Sequence, residues 1–417
     1  MLRGVPAEWI EQHGWVSPNH GGACFAALPG TFAQLLTGEH LRPPLPPELL
    51  APLEARYDRV AFVYFDALNR ESADRHGEHP LFARAALNTK ITSQFPSTTT
   101  VHMNTIHTGL PVGEHGLYEW FVYEPELDRL IAPLPFAFAG ENQGPLPSTF
   151  PAERLYPHAT LYEWLAERGV ASVLGGPRGL ASTPTTAALT RGASARIAFS
   201  DLRRGLAELA AALSGLPAPA YAFAYIETLD TLLHKVGPLE PGRTGADAET
   251  VRILDAIETE LLAGLPIGTL LVISSDHGMT PVSPPSTIYL NESADVVELV
   301  RRGSEPGDHP LAPAGSCRDL FLHAKPGRTE DLIDALRALV GARAVVCSTA
   351  QLLDDGVFGP KPTDRLEHRL ADVVVLPELG EAVYWHTPGR FVQALWGQHG
   401  GLTPEEMEIP LIALHAG

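Results

Sequence analysis

Along this chain the apolar positions follow two rhythms. Three stretches are apolar almost without a break and end on or near an acid: "RVAFVYFD" at residues 59–66, "AYAFAYIE" at 220–227, shortly before Asp230, and "GTLLVISSD" at 268–276. Unbroken runs of this length predict strands buried on both faces. Between them the spacing turns helical. "LYEWLAERG" (161–169) predicts a helix stopped by glycine, and "VASVLGG" (170–176) a short strand after it. "AETVRILDAIETELLAG" (248–264) also carries its apolar residues at helical spacing. Leu209 to Ile226 has the length of a membrane span, but Ser214, Gly215, Pro217 and Pro219 interrupt it. It reads as a helix end, a turn and a buried strand. Strands alternating with helices predict an α/β fold with a mainly parallel sheet covered on both faces. Ligands of such sheets bind beyond the carboxyl ends of the strands, where Asp66, Asp230 and Asp276 fall.

The proline-rich segment 40–55, "HLRPPLPPELLAPLEA", predicts a surface connector into the first strand. Beyond Asp276 the alternation weakens. "CRDLFLHA", "ARAVVCS" and "LADVVVLPE" predict strands, and "EDLIDALRALVG" a helix. The expected organisation is an N-terminal segment with connector (1–55), an α/β core (56–283 with 396–417), and a smaller α+β insertion (284–395) over the sheet edge.

Composition narrows the functional classes. The formal charge of −19 over 417 residues leaves no net basic field for a nucleic-acid polymer or an anionic membrane. Neither partner is expected. With 45% hydrophobic residues the chain reads as a globular protein, and its 38 glycines and 38 prolines point to many loops. Cys24, Cys317 and Cys347 are odd in number and far apart, which predicts free thiols in a reducing compartment. The start "MLRGVPAEWIEQHG" lacks the apolar core of a secretory leader. A cytoplasmic location is the expectation.

Several polar residues have the types that chemistry needs. Asp230 and His234 in "ETLDTLLHKVGP" are four apart, so both face one side of a helix, where they either share a metal or form an ordinary surface pair. Asp276 and His277 in "SSDHGM" reach one site only if the chain turns at Gly278; otherwise Asp276 caps a turn. His399 in "WGQHGG" taken alone reads more readily as a solvated loop residue than as a ligand, and Asp66 after its strand is ambiguous between the two. His76, Glu78 and His79 in "RHGEHP" look metal-like, but an exposed loop is the better reading. In "QFPSTTTVHMNTIHTGL" (94–110), Ser97 or Thr98 would cap a helix. A threonine hydroxyl there acts as a nucleophile only with a base or a metal to activate it.

Five segments in this order, "VYFDALNR", "FPSTTTVHMNTIHTGLPVGEHGL", "ETLDTLLHKVGP", "SSDHGM" and "GQHGGLTPEEM", resemble the alkaline phosphatase superfamily, in particular its nucleotide pyrophosphatase/phosphodiesterase branch. The resemblance runs from residue 60 to about residue 410. It implies two metal sites, one of Asp230, His234 and His399 and one of Asp66, Asp276 and His277. The implied ions are Zn²⁺, with Mn²⁺ as the alternative. Counting back from the Thr108-Gly109 pair, the implied nucleophile is Thr99, with Thr98 as the fallback.

The implied reaction has two displacements through a covalent phosphothreonine, on a small phosphorylated substrate such as a nucleotide or diester. One departure stands out. Phosphodiesterase relatives carry an asparagine shortly after the "HG" turn; here Trp120 takes that place, and the neighbouring Glu119 would repel a dianion. Trp120 is therefore a candidate substrate contact. The rival readings are a phosphomonoesterase of the same superfamily and a catalytically silent metal-binding protein.

Overall fold

The computed structural model describes residues 8–140, 143–238, 245–304 and 309–417. Seven strands form the central sheet: β1 (Arg59–Phe65), β2 (Leu87–Thr92), β3 (Ala171–Pro177), β4 (Ala195–Phe199), β5 (Ala220–Ile226), β6 (Leu270–Ser274) and β7 (Glu408–His415). Their order is β2-β7-β6-β1-β5-β3-β4. The pairs among β6, β1, β5, β3 and β4 are all parallel. Only β7, wedged between β2 and β6, runs against its neighbours.

Every residue of β5 and β6 is buried, as the unbroken apolar runs require. The pleat divides them between two cores. Val60, Phe62 and Tyr64 of β1 and Tyr221 and Phe223 of β5 join one face. There they meet helices α1 (Leu28–Thr37), α2 (Thr99–Thr108) and α3 (Leu161–Ala166). Ala61, Val63 and Phe65, with Ala222 and Ala224, join the other. That face packs on α4 (Leu202–Gly215), α5 (Thr228–Val236) and α6 (Ala246–Ala256). Helix α4 begins where the Asp201 carboxylate accepts from Arg204 N–H, and it buries Leu206, Leu209, Ala210 and Leu213, one stripe at helical spacing. Each fully buried leucine there contributes roughly 1.5–3 kcal/mol. The chain leaves the helix at Leu216, turns through two prolines and enters β5, so the Leu209–Ile226 run is a helix end, turn and strand. Among the described residues no helix is long and apolar enough to cross a membrane.

A second, antiparallel sheet combines Ala314–Gly315, Leu320–Leu322, Val373–Pro377 and Ala344–Ser348. Val373 and Val375 pack on the helix Thr329–Val340. Phe321, Val374 and Leu376 face the opposite way and share a core with Phe95 and Tyr118. This second sheet thus packs against the segments on either side of α2.

Candidate metal centre and active site

Three strand ends deliver the acids. Asp66 directly follows β1, and Ala67 behind it adopts φ 63°, a left-handed turn that costs an alanine about 1 kcal/mol or more. Asp230 lies in the first turn of α5, His234 in the last. Asp276 and His277 follow β6, and His399 sits in the loop before β7. Gly278 serves proximity, not a left-handed turn: a Cβ there would lie 2.0 Å from the Glu405 carbonyl oxygen.

The ligating atoms converge. His277 Nε2 is 3.0 Å from Asp276 Oδ2 and 3.5 Å from Asp66 Oδ1. Asp230 Oδ1 is 3.4 Å from His234 Nε2 and 3.8 Å from His399 Nε2. Two groups lie within 4.8 Å, Asp66 with Asp276 and His277, and Asp230 with His277 and His399. His277 therefore stands between the two sets, and His234 approaches the second through Asp230. Chain spacing carries no sign of that sharing. His76 and His79 stay apart from this cluster, facing Asp247 and Asp255.

The imidazoles share one orientation. Nδ1 of His234, His277 and His399 lies 2.8–2.9 Å from the carbonyls of Gly397, Gly278 and Ser97. Donating there leaves each Nε2 lone pair facing inwards, as metal-binding imidazoles require. Opposite them, Asp66 Oδ1, Asp230 Oδ1 and Asp276 Oδ2 are buried without a hydrogen-bond partner. Lone pairs facing lone pairs at these distances repel unless a cation or proton lies between them. Burial and the neighbouring carboxylates push Asp66 up, and burial pushes Asp230 up. Burial opposes ionisation of Asp276 too, but a proton on His277, itself raised by Asp276, outweighs it and holds that carboxyl well below its usual range. Burial and adjacent imidazoles keep His399 well below the ordinary imidazole range, in its neutral, ligating form. The donor set fits divalent cations.

Several supporting residues escaped the sequence reading. Tyr225 O–H donates to Asp66 Oδ2 at 2.6 Å, and Ser275 O–H donates to the His277 carbonyl. Tyr225 was visible only as part of an apolar strand. Glu406 completes a capping box with Thr403, a Thr-x-x-Glu pattern legible in the sequence. Its partner Arg318, which meets it with two hydrogen bonds of 3.0 Å, was not.

Thr98 is the N-cap of α2 by backbone position, yet its hydroxyl makes no capping bond and interacts with Glu119. Thr99 Oγ1 lies 3.1 Å from His277 Nε2. Thr100 is fully buried. Two cavities meet at Thr99, of about 510 and 550 Å³, and Thr99, Trp120 and Asp230 line both.

Residues 60–387 match the family described as type I phosphodiesterase / nucleotide pyrophosphatase. The chain belongs to this family. Solved structures share its fold at low identity. Murine ectonucleotide pyrophosphatase/phosphodiesterase 5 is 18% identical over 85% of this chain and 87% of its own, with a TM-score of 0.61. An inactive threonine-to-alanine variant of that protein was solved in complex with AMP. Phosphonoacetate hydrolase from Sinorhizobium meliloti 1021, in complex with phosphonoformate, is 18% identical over 86% of this chain and 90% of its own, with a TM-score of 0.59. No curated protein matches the sequence significantly.

In this member of the phosphodiesterase family, Glu119 is fully buried beside the site. Its carboxylate accepts the Trp120 N–H and interacts with Asp319, and Oε1 has no partner. Burial pushes it up to about 7. The repulsion of a dianion expected from the sequence is therefore only partial at neutral pH. A carboxyl raised in the fold destabilises the protein once pH exceeds its unfolded value, and the loss is complete above the folded one. Glu119→Gln is expected to stabilise the protein by about 3 kcal/mol at pH 8 and by almost nothing at pH 4. Urea unfolding in EDTA at both values tests this; a difference independent of pH would contradict it.

Proposed function

We propose that this protein hydrolyses phosphoric diesters or nucleotide phosphoanhydrides through a covalent intermediate on Thr99. The observation that carries the proposal is the convergence of three unpartnered carboxylate oxygens and inward imidazole nitrogens beside the Thr99 hydroxyl. Asp66, Asp276 and His277 would hold one divalent cation, and Asp230, His234 and His399 the other, Zn²⁺ first and Mn²⁺ second. Such ions supply a lowered pKa for a hydroxyl or water and neutralise charge at phosphoryl oxygens.

The chain's own residues do the positioning. Thr99 stands at the first turn of α2 with His277 Nε2 beside its oxygen and lines both cavities, whereas Thr98 lines only the 550 Å³ one. Thr99 Oγ1 bonds to phosphorus as the bond to the departing oxygen breaks; water later releases the phosphoryl group from Thr99. Tyr225 and the backbone carbonyls fix the ligands, so little reorganisation is needed. Two cavities flanking Thr99 suit a diester, which carries an organic group on each side. Each is lined by one arginine, Arg196 or Arg390, and no lysine. That favours a diester over a more highly charged monoester. AMP and phosphonoformate on the structural neighbours support a small substrate. The three cysteines are free and buried, which supports a reducing, cytoplasmic setting.

The test is elemental analysis after zinc loading, together with turnover of bis-p-nitrophenyl phosphate and p-nitrophenyl phosphate. Two metals per chain and a diester preference of at least tenfold are expected. Well under one metal per chain would remove the two-cation arrangement, and a monoester preference would make the protein a phosphomonoesterase.

A further inference from the structure

Resting on the diester reading, we infer that the 510 Å³ cavity beside Thr99 receives an aliphatic chain of the substrate, so that alkyl diesters are the preferred class. The cavity opens at Thr99, Asp66 and Asp230, and its walls include Met103, Leu174, Leu180, Leu189, Ile197 and Phe223. Trp120 and Leu180, both on its lining, are large apolar side chains each 41% exposed. Leaving them exposed costs burial that an apolar ligand would restore.

The polar residues of the wall argue against a hydrogen-bonded base as the occupant. Thr183 and Thr186 hydroxyls donate to the Leu180 carbonyl, Thr185 to that of Pro133 and Thr190 to that of Thr186. Their single donors are spent on the protein. The His107 ring, also on the wall, is held by Tyr162 O–H at 2.6 Å, and burial keeps it at about 3, hence neutral. The charged lining groups are Asp66 and Asp230 of the ligand cluster, Glu227, and Arg196, which is exposed and donates one N–H to Thr190. Beyond Thr231, His107 Nε2 and the remaining N–H groups of Arg196, a base would find few side-chain partners for its polar edge; an alkyl chain needs none.

The experiment has a binding arm and a turnover arm. Calorimetry measures the affinity of the zinc-loaded protein for methyl, butyl and octyl phosphate. Steady-state assays measure kcat/KM for the corresponding p-nitrophenyl alkyl phosphates. Both series are expected to rise by about threefold per methylene until the cavity is filled. Two variants test the place. At Gly176, on the cavity wall, a Cβ would meet only Tyr225 Cβ, at 3.9 Å, so Gly176→Leu should enter open space and bring octyl to within threefold of methyl. Leu180→Asp, at an exposed position, should do the same by charge. Flat series in the wild type overturn the inference even if diesters are hydrolysed. Rising binding without turnover of any ester retains the cavity and removes the hydrolase reading. A rise that survives both variants places the chain elsewhere and also overturns the inference.

Discussion

Thr99→Ala is expected to lower turnover of bis-p-nitrophenyl phosphate by roughly 10³-fold or more, the scale of losing a nucleophile that acts as part of a unit. Thr98→Ala should stay within about tenfold of wild type. The asymmetry comes from geometry: Thr99 Oγ1 lies beside His277 Nε2 and lines both cavities, whereas Thr98 lines only one. Zinc content should be nearly unchanged in both variants, because the six side chains proposed as ligands remain. Acid-quenching the wild type during turnover and digesting it should show a phosphoryl group on the peptide that carries Thr99. Near-normal turnover in Thr99→Ala, with the phosphoryl group on Thr98, would move the role by one residue.

Arg318→Met is expected to destabilise the fold by about 3–5 kcal/mol. Arg318 and Glu406 are both fully buried and meet through two parallel hydrogen bonds. Arg318 also donates to the carbonyls of Glu378 and Glu381, and Glu406 accepts from Gly401 N–H and from Thr403. Truncating the arginine strands a carboxylate in a low-dielectric interior, which costs more than the pair gains. Arg318→Met/Glu406→Gln should recover much of the loss. Because Glu406 organises the turn after His399, the single variant should also bind zinc more weakly. Gly400 tightens the same turn, since a Cβ there would lie 2.6 Å from Asp319 Oδ1. Urea unfolding at pH 7 with a zinc titration measures both effects; a loss below about 1 kcal/mol would show that the pair is dispensable.

Much of the fold was legible in the chain. The runs ending near Asp66, Asp230 and Asp276 could bury both faces only in a covered parallel sheet, and β1, β5 and β6 are adjacent in it. The position of β7 was not legible. An apolar C-terminal segment fits either edge or centre, and only pairing with both β6 and β2 places it antiparallel in the interior.

For the site, residue types and their order along the chain determined which side chains were candidates. That information is local: an acid after a strand, an Asp and a His one helical turn apart, a threonine at a helix start. Which of them share space depends on contacts between residues far apart in the chain. Only the tertiary structure could put His277 between two acid groups, set Thr99 beside an imidazole, and bury Glu119 enough to raise it to about 7. The apolar cavity has the same origin. Met103, Leu174, Leu189 and Phe223 come from separate elements, each an ordinary core residue in its own segment. They make a pocket only because the packed sheet and helices leave space between them.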